Sequence, residues 1–282
     1  MIMAVLEVKD LEISYYDKPL VSNISFSIDR GKCTAIIGES GSGKSITSSA
    51  IGRILPGKLK VTGGSINLDG KDMLKLSGSQ LRESRGTLVS YIFQDYQSAF
   101  TPFIKIGKQF HETINCHTRM DKAKQKELIL SKIESVGLDA KRVYNSYPFQ
   151  LSGGQLQRCA IAQAMLLNPV LLVADEPTTA LDSVSTANVL QLIQDIKTDY
   201  NCAILFITHD LRTVKKYADE LVIMYKGHIV ERGRKDDVIA EPKHIYTKNL
   251  FASVPPLHNV PDRLPVLDIP DDVDMTEVGG DD

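Results

Sequence analysis

The stretch Gly38-Glu39-Ser40-Gly41-Ser42-Gly43-Lys44-Ser45 has the residue types and spacing to hold a phosphate. It matches the pattern G-x-x-x-x-G-K-[ST]. Glycines let the backbone curl into a nest whose N–H groups converge on phosphate oxygens. Lys44 brings a point charge to β- and γ-phosphates, and the Ser45 hydroxyl is of the type that ligates Mg²⁺. Asp175-Glu176 follows an apolar run. There one carboxylate can hold Mg²⁺ while the next is placed to act on water, and two acids beside phosphate need the metal's charge. Ser152-Gly153-Gly154-Gln155 has the form of a capping box, and its glycines also suit a second anion site at a helix start. Gln94 fits either water and metal positioning or a solvated loop. His209 fits a γ-phosphate sensor, and Tyr15 or Tyr16 fits either an adenine stack or ordinary strand packing.

These groups need elements that present them. Cys33–Ile37 is a short apolar strand entering the glycine loop. Ile46, Ala50, Ile51 and Ile54 then share a helical face, with a stop expected at Pro56-Gly57. Val89–Phe93, Val170–Ala174 and Ala203–Ile207 are strands that deliver Gln94, Asp175-Glu176 and His209 at their carboxyl ends, where α/β sheets bind ligands. Leu6–Tyr16 and Ile24–Ile28 alternate as strands, Gly63–Gly70 makes another, and Leu221–Tyr225 with His228–Val230 forms a hairpin around Lys226-Gly227. From about 95 to 165 the periodicity turns helical, with Leu128, Ile129, Ile133 and Val136 on one face before Gly137. The expected fold is α/β: a P-loop core with a mixed sheet and flanking helices, an antiparallel β subdomain and an inserted helical subdomain.

Composition narrows the function. The chain has 282 residues, 43% of them hydrophobic, and a net charge of −2 from 33 basic and 35 acidic residues. That balance gives no reason to expect nucleic acid. Cys33, Cys116, Cys159 and Cys202 are far apart, which suggests a reducing compartment and no zinc site. No apolar run reaches membrane-spanning length, and the start, which soon meets Glu7, Lys9 and Asp10, does not read as a signal peptide. A soluble cytosolic chain is expected. The last segment, 257–282, is Pro-rich and then acidic (Asp271, Asp272, Asp274, Glu277, Asp281, Asp282). It reads as disordered, or as an acidic docking segment.

Taken together, the motifs resemble the ATP-binding cassette (ABC) family over about residues 5–256, which is expected to be one nucleotide-binding domain (1–256). Gly38–Ser45 resembles Walker A. Leu151–Gln155 is similar to the family signature, Leu171–Glu176 to Walker B with its glutamate, Ala180-Leu181-Asp182 to the D-loop, His209 to the switch histidine and Gln94 to the Q-loop. The stretches 94–102, 175–182 and 244–255 further resemble the oligopeptide, dipeptide and nickel importers. After Pro256 the chain lacks the cysteine-bearing segment of many peptide-importer relatives, which tilts the reading toward the nickel or metal-chelate branch.

The resemblance implies an ATPase, bound to ATP and Mg²⁺, that energises uptake. Two cassettes close head to tail around the nucleotide. Gly38, Ser40, Gly41, Gly43 and Lys44 hold phosphates. Ser45, Gln94 and Asp175 hold the metal or its waters, Glu176 is the general base, and His209 contacts the γ-phosphate. Ser152 and Gly154 act across the dimer, Gln155 and Asp182 also bind ATP, and Tyr15 stacks on adenine. The partners implied are a second ATPase subunit (a paralogue is expected), two membrane permeases and, indirectly, an external solute-binding protein. The location implied is the cytoplasmic face of the cell membrane. The alternative is a soluble ABC-type ATPase of DNA repair or translation. That class uses paired cassettes or a long coiled coil, and this sequence has one cassette and no heptad run.

Overall fold

The computed structural model describes residues 4–179, 181–253 and 275–279. The chain opens with β1 (Ala4–Tyr15), β2 (Lys18–Asp29) and β3 (Cys33–Ile37), followed by α1 (Lys44–Ile51). Next come β4 (Leu59–Leu68), β5 (Lys71–Asp72), α2 (Gly78–Thr87) and β6 (Val89–Ile92). A helical stretch follows: α3 (Ile106–Asn115), α4 (Lys122–Ser135), α5 (Ala140–Asn145) and α6 (Gly153–Ala164). The rest is β7 (Leu171–Asp175), α7 (Ser183–Asp199), β8 (Ala203–Ile207), α8 (Leu211–Tyr217), β9 (Glu220–Tyr225), β10 (His228–Arg234), α9 (Lys235–Ala240) and α10 (Ile245–Ala252). The fold is α/β, with a mixed sheet of the P-loop NTPase kind and a separate antiparallel sheet.

The chain divides into two compact units. The first is Met1–Lys75 with Ala203–Asp282. It holds the antiparallel sheet, in the order β2-β1-β4-β5. Register there stacks apolar side chains on one face: Leu6 lies opposite Ile28 and Leu68, and Val8 opposite Phe26 and Ile66. All six are buried, as a one-sided antiparallel sheet requires. In the same unit β3 pairs in parallel with both β8 and β9, and β9 turns back antiparallel into β10. Every residue of β3 and of β8 is buried. Strands covered on both faces read as near-continuous apolar runs, interrupted here only by Thr34 of β3.

The helix after the glycine loop departs from expectation. It ends at Ile51, not at Pro56, because Arg53 adopts a left-handed φ of 51° and Ile54 N–H returns to Ser49 O. That closure satisfies the last carbonyls one turn early. Its buried face is Thr47, Ser48, Ala50 and Ile51. Ile46 is only partly covered.

The second unit is Leu76–Cys202. β6 and β7 pair in parallel, and residues 95–152 contain no strand. Ile106, Phe110 and Ile114 of α3 are spaced four apart and fully buried. Lys132 is buried in α4 but well partnered: Nζ donates to Asn168 Oδ1 at 2.7 Å and stands over the Tyr200 ring. No described helix is long and apolar enough to cross a membrane.

Residues 254–274, with most of the proline-rich segment, lie outside the described residues, as does Ala180 of the expected D-loop. Of the acidic end, 275–279 is described. Val278 pairs in parallel with Glu231, its N–H donating to Val230 O at 3.0 Å and its carbonyl accepting from Arg232 N at 3.2 Å. Glu277 also forms an ion pair with Arg232.

Candidate active site

In the first unit, β3 delivers residues 38–43 and α1 begins at Lys44. Gly38 is required by space: a Cβ there would stand 2.1 Å from Met224 O. Gly43, with a left-handed φ of 102°, precedes α1 and supplies no capping side chain. The positive end of the helix therefore faces the loop, the arrangement that receives anions. Lys44 is buried, and its Nζ donates to Gly38 O at 2.8 Å, to Glu39 O at 2.6 Å and to Ser42 Oγ at 3.5 Å. The loop thus carries its own cation inside the cradle, ready to receive charged phosphate oxygens. Ser40, Gly41 and Ser45 are exposed beside it.

The same unit brings His209 to this edge. Ile36 of β3 is opposite Ile207 of β8, so both chains leave the sheet at the same end. Thr208 Oγ1 accepts from Asp210 N, and Asp210 caps α8 through Arg212 N and Thr213 Oγ1. The flanking bonds fix the turn that exposes His209. Tyr15 and Tyr16 sit at the β1–β2 turn, 46% and 56% exposed, in an edge-to-face pair with centroids 4.8 Å apart. The next strand reaches the loop, since a Cβ on Gly43 would stand 3.0 Å from Val21 Cγ2. Lys58 Nζ covers one face of the Tyr16 ring at 4.6 Å.

The second unit assembles the remaining candidates. Ile92 is opposite Ala174, so Gln94, Asp175 and Glu176 emerge from adjacent strand ends. Gln94 is exposed, while Asp175 and Glu176 are half-buried. Glu176 has a left-handed φ of 47°, and its Oε2 accepts from Thr179 Oγ1 at 3.1 Å. The capping box forms as read: Gln155 N donates to Ser152 Oγ at 3.3 Å, and Ser152 N to Gln155 Oε1 at 3.1 Å. What the sequence did not show is what abuts its glycines. A Cβ on Gly153 would lie 2.9 Å from Tyr96 Oη, and one on Gly154 2.8 Å from Ser185 Oγ. Ser185 Oγ in turn donates to Asp182 Oδ2 at 2.6 Å, and that bond leads in holding the Asp182 carboxyl below its usual range. Gln157 Nε2, buried under the helix start, donates to Pro177 O at 2.7 Å. Hence the Gln94 loop, the Ser152 turn and the Asp182 turn meet within one unit. Of the residues involved, the sequence marked Gln94, Ser152, Gly154, Gln155 and Asp182, but not Tyr96, Gln157 or Ser185.

Among the described residues, no cluster of His, Cys, Asp and Glu could hold a metal without further ligands. Taken singly, the candidates carry hard oxygen donors of the types Mg²⁺ takes: the Ser45 hydroxyl, the Gln94 amide and the Asp175 carboxylate.

The ABC transporter family profile matches residues 21–179. The metal-staphylopine import system ATP-binding protein CntD of Staphylococcus aureus (strain NCTC 8325 / PS 47) is 43% identical over 254 residues, which cover 89% of this chain and 93% of that protein. The oligopeptide transport ATP-binding protein OppD of Bacillus subtilis (strain 168) is 42% identical over 263 residues, covering 90% and 73%. Among solved structures, an ATP-binding cassette captured as a dimer in a post-hydrolysis state, bound to ADP and Pi, aligns with a TM-score of 0.71. It is 25% identical, over 82% of this chain and 98% of that one.

Proposed function

The chain belongs to the ABC transporter family, and from that premise we propose that it drives import of a metal chelate by hydrolysing ATP between two cassettes. It is an ATP-binding and ATP-hydrolysing importer subunit, and such subunits work with membrane permeases and dimerise. The observation that carries the enzymatic reading is the Lys44 ammonium enclosed in a glycine cradle at a helix start. Support for a chelated metal as cargo is the 43% identity to a metal-staphylopine import protein, matched over 93% of its length. Uptake of a nickel chelate, with an oligopeptide as the competing cargo, tests that assignment in cells.

In this proposal Gly38, Ser40, Gly41, Gly43 and Lys44 bind the β- and γ-phosphates through backbone N–H groups and the ammonium. Ser45, Gln94 and Asp175 hold Mg²⁺ or its waters. The ion, when bound, would offset the negative charge of the phosphates. Glu176 accepts the proton of the attacking water as its oxygen bonds to the γ-phosphorus and the bond to the β-phosphate oxygen breaks. His209 donates to a γ-phosphate oxygen. Ser152, Gly154 and Gln155, with Asp182 behind them, complete the γ-phosphate contacts of the facing cassette. Tyr15 stacks on adenine, because Lys58 already occupies a face of Tyr16.

The permeases dock beside Gln94 and the helical stretch. There Phe103 and Phe149 are 83% and 64% exposed with ring centroids 6.3 Å apart, and Tyr147 stacks on Phe149. Exposed aromatics clustered in this way mark a contact surface. The protein thus works at the cytoplasmic face of the membrane, held there by its partners, with a solute-binding protein acting outside.

Glu176→Gln tests the chemistry. It keeps nucleotide binding while phosphate release falls by about 10²- to 10⁴-fold, the usual worth of a general base. Turnover close to that of the unmodified protein removes Glu176 from this role.

A further inference from the structure

We infer that Tyr246, on the C-terminal helix, is a positioning residue for ATP, holding the first peptide unit of the phosphate loop in its binding orientation. The inference rests on the nucleotide reading above and adds a residue that none of the loop motifs contains. Tyr246 is fully buried, and its Oη accepts the Glu39 N–H at 2.8 Å. The carbonyl of that same peptide unit, Gly38 O, accepts Lys44 Nζ at 2.8 Å. A trans peptide points its N–H and its C=O in opposite directions. One edge of the plane is therefore fixed by Tyr246 and the opposite edge by Lys44. With the hydroxyl in place, rotation of this plane cannot carry the carbonyl away from the ammonium, so the cation stays centred in the cradle.

The hydroxyl is itself anchored. The Tyr246 ring stacks on Tyr225 with centroids 4.3 Å apart, and its N–H donates to His244 Nδ1 at 3.1 Å. The buried Glu231 carboxylate accepts Lys243 N at 2.9 Å and His244 N at 3.0 Å, which ties the start of α10 to β10. Two residues past Tyr225, Gly227 N donates to Ser42 O at 3.1 Å and holds the far side of the loop. Both tethers thus come from residues 227–246, beyond the stretch 21–179 matched by the family profile. Burial pushes the Tyr246 hydroxyl up to about 12, so it stays protonated and the tether is constant across working pH.

Tyr246→Phe keeps the ring and removes the oxygen. Losing one net hydrogen bond that preorganises a ligand site weakens ATP binding by about three- to tenfold. The readout is titration of the 31.2 kDa chain with a fluorescent ATP analogue, beside steady-state kinetics. KM for ATP rises while kcat at saturation stays within about twofold, since a preformed loop is a binding term. Thr247→Val is the control: Thr247 is buried on the same helix and its Oγ1 makes no hydrogen bond, so its removal leaves binding unchanged. Equal binding by Tyr246→Phe, or equal loss in Thr247→Val, overturns the inference.

A second measurement needs no variant. In residue-resolved amide exchange of the nucleotide-free protein, Glu39 N–H exchanges slowly, and a fast Glu39 amide overturns the inference. Should the unmodified chain bind no ATP, the functional reading falls, and the amide rate still decides whether this peptide is held.

Discussion

Tyr15 and Tyr16 are adjacent, both aromatic and both half exposed, yet their surroundings differ. Tyr16 lies under the Lys58 ammonium, and the strand after the turn runs to Gly43. Stacking of a base on an aromatic ring is worth about 1–3 kcal/mol. Tyr15→Ala therefore weakens ATP binding about fivefold to a hundredfold, and Tyr16→Ala changes it less, both measured by nucleotide titration. The reverse ranking places adenine on Tyr16. Thiol chemistry separates residues in the same way. Burial pushes Cys159 up to about 12, and Cys33 and Cys202 are also buried, whereas Cys116 is exposed. Alkylation of the native protein marks Cys116 first, as read by mass spectrometry. Candidate residues were legible where type and spacing carry chemistry alone, as in Gly38–Ser45. Tyr96, Ser185 and Tyr246 were not, because each acts through one hydroxyl placed by distant chain, and a lone Tyr or Ser has no spacing to read.

Elements were legible in proportion to their burial. The fully buried β3 and β8 have the expected bounds, because near-continuous hydrophobic runs leave no other period. The α1 stop was not, since a left-handed Arg53 closes the helix before Pro56 is reached. The start of β9 also carries a titration of its own. Burial leads in raising the Glu220 carboxyl, Asp29 and Asp219 add to it, and the Thr34 hydroxyl bond and Lys32 oppose it. A carboxyl raised in the folded state binds its proton more tightly there than in the unfolded chain. Its contribution is thus most favourable at acidic pH and declines as pH rises through the raised value. Glu220→Gln flattens that part of the stability–pH curve in denaturant titrations. An unchanged slope assigns the ionisation elsewhere.

For the whole molecule, the central expectation is that two cassettes share each nucleotide. In sedimentation with ATP, Glu176→Gln runs as a dimer and Glu176→Gln/Ser152→Arg as a monomer, because the arginine adds bulk where the facing γ-phosphate must approach. A dimer persisting in the double variant removes Ser152 from the interface. Fold class was readable at this scale because the motif order is a fold signature. The return of residues 275–279 to β10 was not, since a short acidic stretch after prolines carries no periodicity that names its partner. That return has a practical result. The outermost strand of a sheet is an open template for strands of other chains, and Val278 already occupies a donor and an acceptor of β10. Protein trimmed of its last eight residues should cloud sooner on concentrated storage, a difference that light scattering records without any nucleotide present.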